Sequence, residues 1–117
     1  MKSAPILVTG ATGYVGGRLI PALLDSGHRV RAMGRSLEKI GCRPWAGHSR
    51  VELVQGDVLD LESLKEAASG CRIAYYLVHS MIAQKKKFVE ADRRAAHNMV
   101  AASTAAGLEK ICRGRST

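Results

Sequence analysis

Short runs of apolar residues, bounded by glycine or polar residues, recur along the chain. The run at residues 5–9 is continuous and ends at a glycine, which is typical of a strand buried on both faces of a parallel sheet. In the run at residues 28–33 apolar positions alternate with Arg29 and Arg31, so we expect one face of this strand to be less deeply covered. Further strands are predicted at residues 51–55, 73–78 and, as the start of a fifth strand, 108–112.

Between the first strands, apolar residues recur at the spacing of an amphipathic helix. This helix begins near Val15 and stops before Gly27, and it contains Pro21, for which we expect a kink rather than a break. After the second strand, one helical turn is predicted at residues 37–40. Residues 41–49 show no period and are expected to be irregular.

Two later helices are predicted from their end signals as well as from their period. Asp60 is a plausible N-cap for a helix over residues 61–68, and Gly70 marks its exit. A long helix is predicted from Phe88 to Gly107. The residues expected to share one of its faces are Val89, Asp92, Ala96, Met99, Val100 and Ser103.

This alternation of strands and helices predicts an α/β fold with a doubly wound parallel sheet, because parallel neighbours must be joined by crossover connections. We expect the strand order 3-2-1-4-5 and a single domain over residues 1–117. Residues 113–117 are polar and basic where a buried strand needs apolar side chains. The sheet is therefore expected to be truncated at the fifth strand, and the domain incomplete at its C-terminus.

Composition excludes several classes of protein. No apolar run approaches the roughly 20 residues that cross a bilayer, and the N-terminus is too short in apolar residues for a signal peptide, so we expect a soluble, cytoplasmic protein with no membrane partner. Cys42, Cys71 and Cys112 are far apart, which predicts free thiols. The four histidines lack metal-ligand spacing, and no metal site is predicted.

The formal net charge of +8 raises the question of nucleic-acid binding. Part of the excess lies in the lysines at positions 85–87 and part in Arg113 and Arg115. Neither group comes with a recognition-helix signature or an aromatic stacking platform. We therefore expect no nucleic-acid partner, and a basic surface that favours an anionic ligand.

A glycine-rich turn separates the first predicted strand from the first helix. The segment Thr9-Gly10-Ala11-Thr12-Gly13-Tyr14-Val15-Gly16 sets three glycines at a fixed spacing. Such glycines permit a tight turn, close approach of the backbone to a pyrophosphate and close packing of the helix, whose free amides then face the phosphates. The alternative, a turn without a ligand, is disfavoured because three glycines cost conformational entropy.

This G-x-x-G-x-x-G spacing resembles that of extended and atypical short-chain dehydrogenases/reductases, including NmrA-like proteins and nucleoside-diphosphate-sugar epimerases. The resemblance extends to Gly34-Arg35, to Gly56-Asp57-Val58 and to Leu77-Val78-His79, and only the basic tail falls outside it. It implies a Rossmann domain that binds NAD or NADP. It also implies that the pyrophosphate is lined by Gly10, Thr12, Gly13, Tyr14, Val15 and Gly16, the adenine by Asp57 and Val58, and the nicotinamide-side ribose by Leu77, Val78 and His79.

Arg35 stands where an NAD-preferring protein places an acidic residue, and an arginine there suits the 2′-phosphate of NADP. NADP is therefore the preferred cofactor and NAD the alternative. The alternative interpretation of Arg35 is an exposed cation in a loop without a ligand. Arg18 or Lys39 could share the role of binding the 2′-phosphate. Two other assignments also have structural alternatives, Asp57 as a turn or capping residue and His79 as a packed histidine at the end of a strand.

No catalytic residue is assigned. Active short-chain dehydrogenases usually carry Tyr-x-x-x-Lys, whereas four positions after Tyr14, Tyr75 and Tyr76 stand Arg18, His79 and Ser80. In the family resembled, the catalytic residues lie beyond the fifth strand.

Three hypotheses remain open at this point. The first is an NADP(H)-binding domain whose oxidoreductase or sugar-nucleotide epimerase chemistry, on an unknown small molecule, is completed by residues outside this chain. The second is a non-catalytic NmrA-like NADP-sensing or assembly protein. The third is a product without independent activity, whose exposed sheet edge causes it to form homo-oligomers.

Overall fold

The computed structural model describes residues 4–11, 14–79 and 85–116, with the backbone alone at 14–15, 77–79, 85–92 and 113–116. Its strands are β1 (Ile6–Val8), β2 (Val30–Gly34), β3 (Val51–Gln55), β4 (Ile73–His79) and β5 (Lys110–Ser116). Its helices are α1 (Tyr14–Asp25), α2 (Leu37–Gly41), α3 (Leu61–Ala68) and α4 (Lys85–Ala106).

All strand pairs are parallel, and the sheet has the order β3-β2-β1-β4-β5, which confirms the predicted doubly wound α/β fold. The short strand β1 lies at the centre and pairs with β2 on one side and β4 on the other. The chain order reverses at this point. The reversal opens a crevice at the carboxyl ends of the strands, where α/β proteins bind their ligands.

Apolar side chains alternate between the two faces of the sheet and form one core on each. Leu7 of β1 packs in the core that α3 and α4 cover, together with Leu64 and Met99. Ile6 and Val8 belong to the opposite core, which also contains residues of α1 and α2. Because both faces are covered, β1 is fully apolar, as its continuous run predicted.

Local signals define where the helices begin and end. The predicted N-cap is confirmed, since the Asp60 side chain accepts a hydrogen bond from the backbone N–H of Ser63. Gly27, Gly70 and Gly107 follow α1, α3 and α4 with φ of +87°, +81° and +72°, the left-handed conformation in which glycine commonly ends a helix. The helix α1 continues through Pro21 without a break.

Arg31 is the one residue of β2 that is not fully buried, in agreement with the expectation of a less deeply covered face, and α3 covers most of its side chain. Its side chain is only 15% exposed and forms an ion pair of 3.0 Å with Glu52. Its Nη1 donates to the carbonyl oxygen of Ala67 at 2.7 Å and to that of Ser69. The guanidinium therefore caps the C-terminus of α3, where carbonyls lack partners within the helix.

Two sequence-based boundaries differ from the structure. The fifth strand runs to Ser116, through most of the polar tail at residues 113–117, in register with β4 up to His79. The part of β5 whose burial is described, Lys110–Cys112, is exposed or half-buried, so this strand does not need apolar residues on both faces. In the part of α4 whose side chains are described, residues 93–106, the buried positions are Ala95, Asn98, Met99, Ala102 and Ser103, whereas Val100 of the predicted face is 60% exposed.

Candidate functional site

The glycine turn begins at the carboxyl end of the central strand. Gly10 has φ of +65°, a left-handed conformation that side chains other than that of glycine rarely adopt. Thr9 before it is buried and donates from its backbone N–H and from Oγ1 to the carbonyl of Tyr75, at 3.0 and 3.2 Å. The N–H of Ala11 donates to Met33 at 3.2 Å. Both neighbouring strands, β4 and β2, thus hold the turn at the point of chain reversal.

Gly16 lets α1 pack directly against this turn. A Cβ atom at Gly16 would lie 2.7 Å from the carbonyl oxygen of Gly10, closer than such atoms approach in proteins. Tyr14 and Val15 form the start of the 12-residue helix α1, so their amides belong to its free N-terminal end. Thr12 and Gly13 lie outside the described residues.

A cleft of about 380 Å³ lies at the carboxyl ends of β2 and β3. Gly56 forms part of it and ties the two strand ends together, because its N–H donates to the carbonyl of Gly34 at 2.9 Å. The residues that line the cleft are Arg35, Gln55, Gly56, Asp57, Asp60 and Ser63.

Arg35 is exposed at this cleft. Its guanidinium has no hydrogen-bond or ion-pair partner in the described part of the chain, while its backbone carbonyl accepts from Gln55 Nε2 at 3.2 Å. The two alternative cations, Arg18 and Lys39, are exposed on α1 and α2 and are not among the residues that line the cleft. Among the described residues that line the cleft, Arg35 is therefore the one cation, and it lies there with Asp57 and Asp60.

Asp57 stabilises the loop that follows β3. Its Oδ1 accepts from the N–H of Leu59 at 2.9 Å, and its own N–H donates to Ser63 Oγ at 3.0 Å. These contacts match the structural alternative of a turn residue, and Asp57 is also one of the residues that line the cleft. The next carbonyl, that of Val58, accepts from Asn98 Nδ2 of α4 at 2.9 Å. Sequence reasoning missed Ser63 and Asn98, because their partners in this loop are not visible in any local pattern.

Leu77, Val78 and His79 form the carboxyl end of β4, on the other side of the central strand from the cleft. In the sheet they pair with Gly114, Arg115 and Ser116 of β5. The described site residues therefore all lie at the carboxyl ends of the strands, in the spatial order of those strands.

The carboxyl end of the sheet suits an anionic dinucleotide. The N-terminus of α1 offers free amides at a positive dipole end, the turn brings backbone close to the crevice, and a guanidinium stands at the cleft on one side. In the described residues, no group of three or more His, Cys, Asp or Glu side chains could hold a metal ion. No helix of that same part of the chain is both long and apolar enough to cross a bilayer.

A doubly wound sheet with a glycine turn at its point of reversal defines a dinucleotide-binding domain. The chain belongs to the NAD(P)H-binding family, whose model matches residues 10–113. This membership confirms the resemblance to short-chain dehydrogenases/reductases.

Three known proteins show the range of this similarity. The chain is 30% identical over 107 residues to the photosystem II assembly factor Ycf39 of Cyanophora paradoxa, covering 91% of this chain and 32% of that protein. It is 27% identical over 114 residues to cinnamoyl-CoA reductase 1 of Petunia hybrida, covering 91% and 33%. The crystal structure of the Citrobacter sp. triphenylmethane reductase complexed with NADP(H) superposes with a TM-score of 0.73 and 28% identity, covering 93% of this chain and 36% of that one.

The chain spans about a third of the length of these relatives. The shared part is an NAD(P)-binding domain, which occurs in dehydrogenases, reductases and epimerase-like proteins.

Proposed function

We propose that this domain prefers NADP(H) to NAD(H) and serves as the cofactor-binding part of a reductase or epimerase of the atypical or extended short-chain type. The observation that carries the cofactor preference is Arg35, whose guanidinium has no protein partner among the described residues and which lines the cleft at the carboxyl ends of β2 and β3. A guanidinium binds phosphate through paired, charge-assisted hydrogen bonds. NAD carries a neutral hydroxyl at the 2′ position in place of this phosphate and so gains less from the positive charge.

The remaining site residues are assigned in the order of their strands along the carboxyl end of the sheet. Asp57 and Val58 border the adenine next to Arg35, and Leu77, Val78 and His79 line the ribose on the nicotinamide side. The pyrophosphate lies between them, against Gly10, Thr12, Gly13, Tyr14, Val15 and Gly16. The support for this order is that β1, which carries the turn, lies between β2 and β4.

When bound, the cofactor supplies a hydride donor or acceptor, while this chain binds and orients it. The proton donor and the substrate pocket are proposed to lie in residues outside the chain, because the sequence holds no Tyr-x-x-x-Lys pair and spans about a third of its relatives. The substrate is an unidentified small molecule. A cytoplasmic location and the lack of a nucleic-acid partner remain predictions.

A second candidate function is that of an NADP-dependent sensor or assembly protein in which no hydride moves. The similarity to the photosystem II assembly factor Ycf39, at 30% identity, favours it. In such a protein, cofactor binding shifts the population of conformations that a partner recognises. Oxidation of bound NADPH upon addition of carbonyl or quinone compounds to the full-length protein would separate an enzyme from a sensor.

Calorimetric titration of the chain with NADPH and NADH tests the cofactor preference. We expect NADPH to bind at least about tenfold more tightly, since a charge-assisted hydrogen bond contributes about 1.5–3 kcal/mol. The Arg35→Ala variant should lose this difference by weakening NADPH alone. Arg72→Ala is the matched control, because it removes the same charge from the opposite end of the sheet, where Arg72 pairs with Glu109. Equal affinities of the wild type for both cofactors would refute the preference, and no binding of either would refute the site.

A further inference from the structure

We propose that Asn98, near the middle of α4, is a positioning residue for the adenosine side of the cofactor site. It holds the peptide between Val58 and Leu59, and through that peptide it orients the Asp57 carboxylate at the cleft. The assignment rests on the proposed function, since it takes the cleft to be the place where the adenosine half of the cofactor binds.

The contact is partly buried and joins residues that are far apart in the sequence. Asn98 is 8% exposed, and its Nδ2 donates to the carbonyl oxygen of Val58 at 2.9 Å across a separation of 40 residues. The Val58 side chain packs against the same core that contains Met99, the neighbour of Asn98. The Asn98 amide thus contacts the loop from the core side, and Asn98 is not among the residues that line the cleft.

One peptide group connects Asn98 to the cleft. The carbonyl of Val58 and the N–H of Leu59 belong to the same planar unit. Asn98 binds the carbonyl end, and the N–H end donates to Asp57 Oδ1 at 2.9 Å. A rotation of this plane would therefore move the donor that holds the carboxylate of Asp57. Asn98 acts on the cleft through this peptide, without contact to a ligand.

The other anchors of the loop come from its own half of the fold. Gly56 is held by Gly34 of β2, and Asp57 by Ser63 of α3. Among the hydrogen bonds of the described residues, the one from Asn98 ties this loop to α4, in the second half of the sheet. Removal of the donor would leave a partly buried carbonyl without its partner and release the loop on that side.

The test compares ligands that represent the two halves of the cofactor. In the full 117-residue chain, Asn98→Asp keeps the shape of the side chain but replaces the amide donor by a carboxylate oxygen. We expect the Kd for 2′,5′-ADP to rise about 3- to 10-fold, as for the loss of one hydrogen bond of about 1 kcal/mol. The Kd for reduced nicotinamide mononucleotide, followed by NMR titration, should stay unchanged.

A pH series adds a readout that general destabilisation would not produce. The carboxyl of Asn98→Asp can donate a hydrogen bond once it is protonated, so the difference in Kd from the wild type should shrink as pH falls towards about 4. Ser103→Ala is the matched control, because its hydroxyl donates within α4, to Val100 at 2.8 Å. It should bind both half-ligands like the wild type. Equal losses for both ligands, or no loss in folded Asn98→Asp, would overturn the assignment.

A measurement on the wild type covers the case in which the variant does not fold. Addition of 2′,5′-ADP should shift the side-chain amide resonances of Asn98, and reduced nicotinamide mononucleotide should leave them in place. The opposite pattern would also count against the assignment. If the wild type binds neither 2′,5′-ADP nor NADPH, the proposed function itself fails. If it binds both and Asn98→Asp binds them equally well, the role of Asn98 alone is wrong.

Discussion

The α-carbon of Gly16 packs so closely against the turn that a Cβ atom there would lie 2.7 Å from the carbonyl oxygen of Gly10 and 2.9 Å from Cα of Ala11. Both of these neighbours are backbone atoms in the turn at the end of β1. They cannot rotate away as a flexible side chain would. The turn and the first helix therefore form one rigid unit, and its geometry requires a residue without a side chain at position 16.

We predict that Gly16→Ala will disrupt this unit. The turn must shift to admit the methyl group, which we expect to lower the free energy of unfolding by about 1–3 kcal/mol and to weaken NADPH binding by more than tenfold. Gly17→Ala is the control, because a Cβ at that position meets no atom of the described residues within 4 Å beyond the neighbouring backbone of its own helix. Gly17 is in α1, so alanine should stabilise the helix by up to about 1 kcal/mol. Urea denaturation and calorimetry measure both effects, and similar behaviour of the two variants would contradict the clash.

A second prediction concerns the arginine that caps α3. Arg31→Ala removes donors to the carbonyls of Ala67 and Ser69 and the ion pair with Glu52. We expect a loss of about 2–3 kcal/mol in the free energy of unfolding, because hydrogen bonds from a charged group contribute about 1.5–3 kcal/mol. Arg29→Ala, two positions earlier, should cost less than about 0.5 kcal/mol. Equal losses in urea denaturation would show that capping is not the cause.

The buried thiol of Cys71 predicts a dependence of stability on pH. Burial raises the pKa of Cys71 above its ordinary value, Arg31 opposes this increase, and Glu52 adds to it. A group with a raised pKa in the folded state stabilises the fold below its unfolded pKa, and the contribution is lost as pH rises through the folded value. The free energy of unfolding should therefore fall above about pH 8.5. Cys71→Ala should show a shallower fall, and Cys42→Ala, which changes an exposed thiol, should match the wild type.

The edge of β5 predicts self-association. In the described sheet this strand pairs with β4 alone, and Ile111 on it is 37% exposed. Unpaired strand edges are templates for pairing with a second chain. Size-exclusion chromatography with light scattering should show a mass that rises with concentration, and Ile111→Lys should reduce it. Val100→Lys, which changes an exposed residue of α4, should not. A stable monomer of the wild type at high concentration would refute the prediction.

Local signals were sufficient for part of the fold. The helix α3 and the strand β3 have the predicted bounds to the residue, because Asp60 and Gly70 mark the ends of α3 and polar residues flank the apolar run of β3. The alternation of strands and helices restricts the topologies that short connections allow in a parallel sheet, and the predicted strand order is confirmed. The glycine turn could also be predicted from the sequence, because its conformation depends on adjacent residues.

Features that depend on contacts between distant residues were not visible. The tail of β5 looked too polar for a strand because its edge position is a property of the whole sheet. The cover of Arg31 by α3 depends on carbonyls more than thirty residues away. Asn98 was one polar residue on a helix until the structure showed its partner in the loop after β3. The period of apolar residues predicts which face of a helix or strand is buried. It does not show which side chain forms a hydrogen bond with a distant carbonyl.

The central position of β1 has a consequence for the newly synthesised chain. This three-residue strand is made first, and its partner in β2 begins at Val30, whereas its other partner, in β4, begins at Ile73. A ribosome therefore releases the β1–β2–β3 half of the sheet while one side of β1 is still open. Because non-local pairing is slow, this open side of β1 remains an unpaired strand edge during that interval, and such edges favour pairing with another chain.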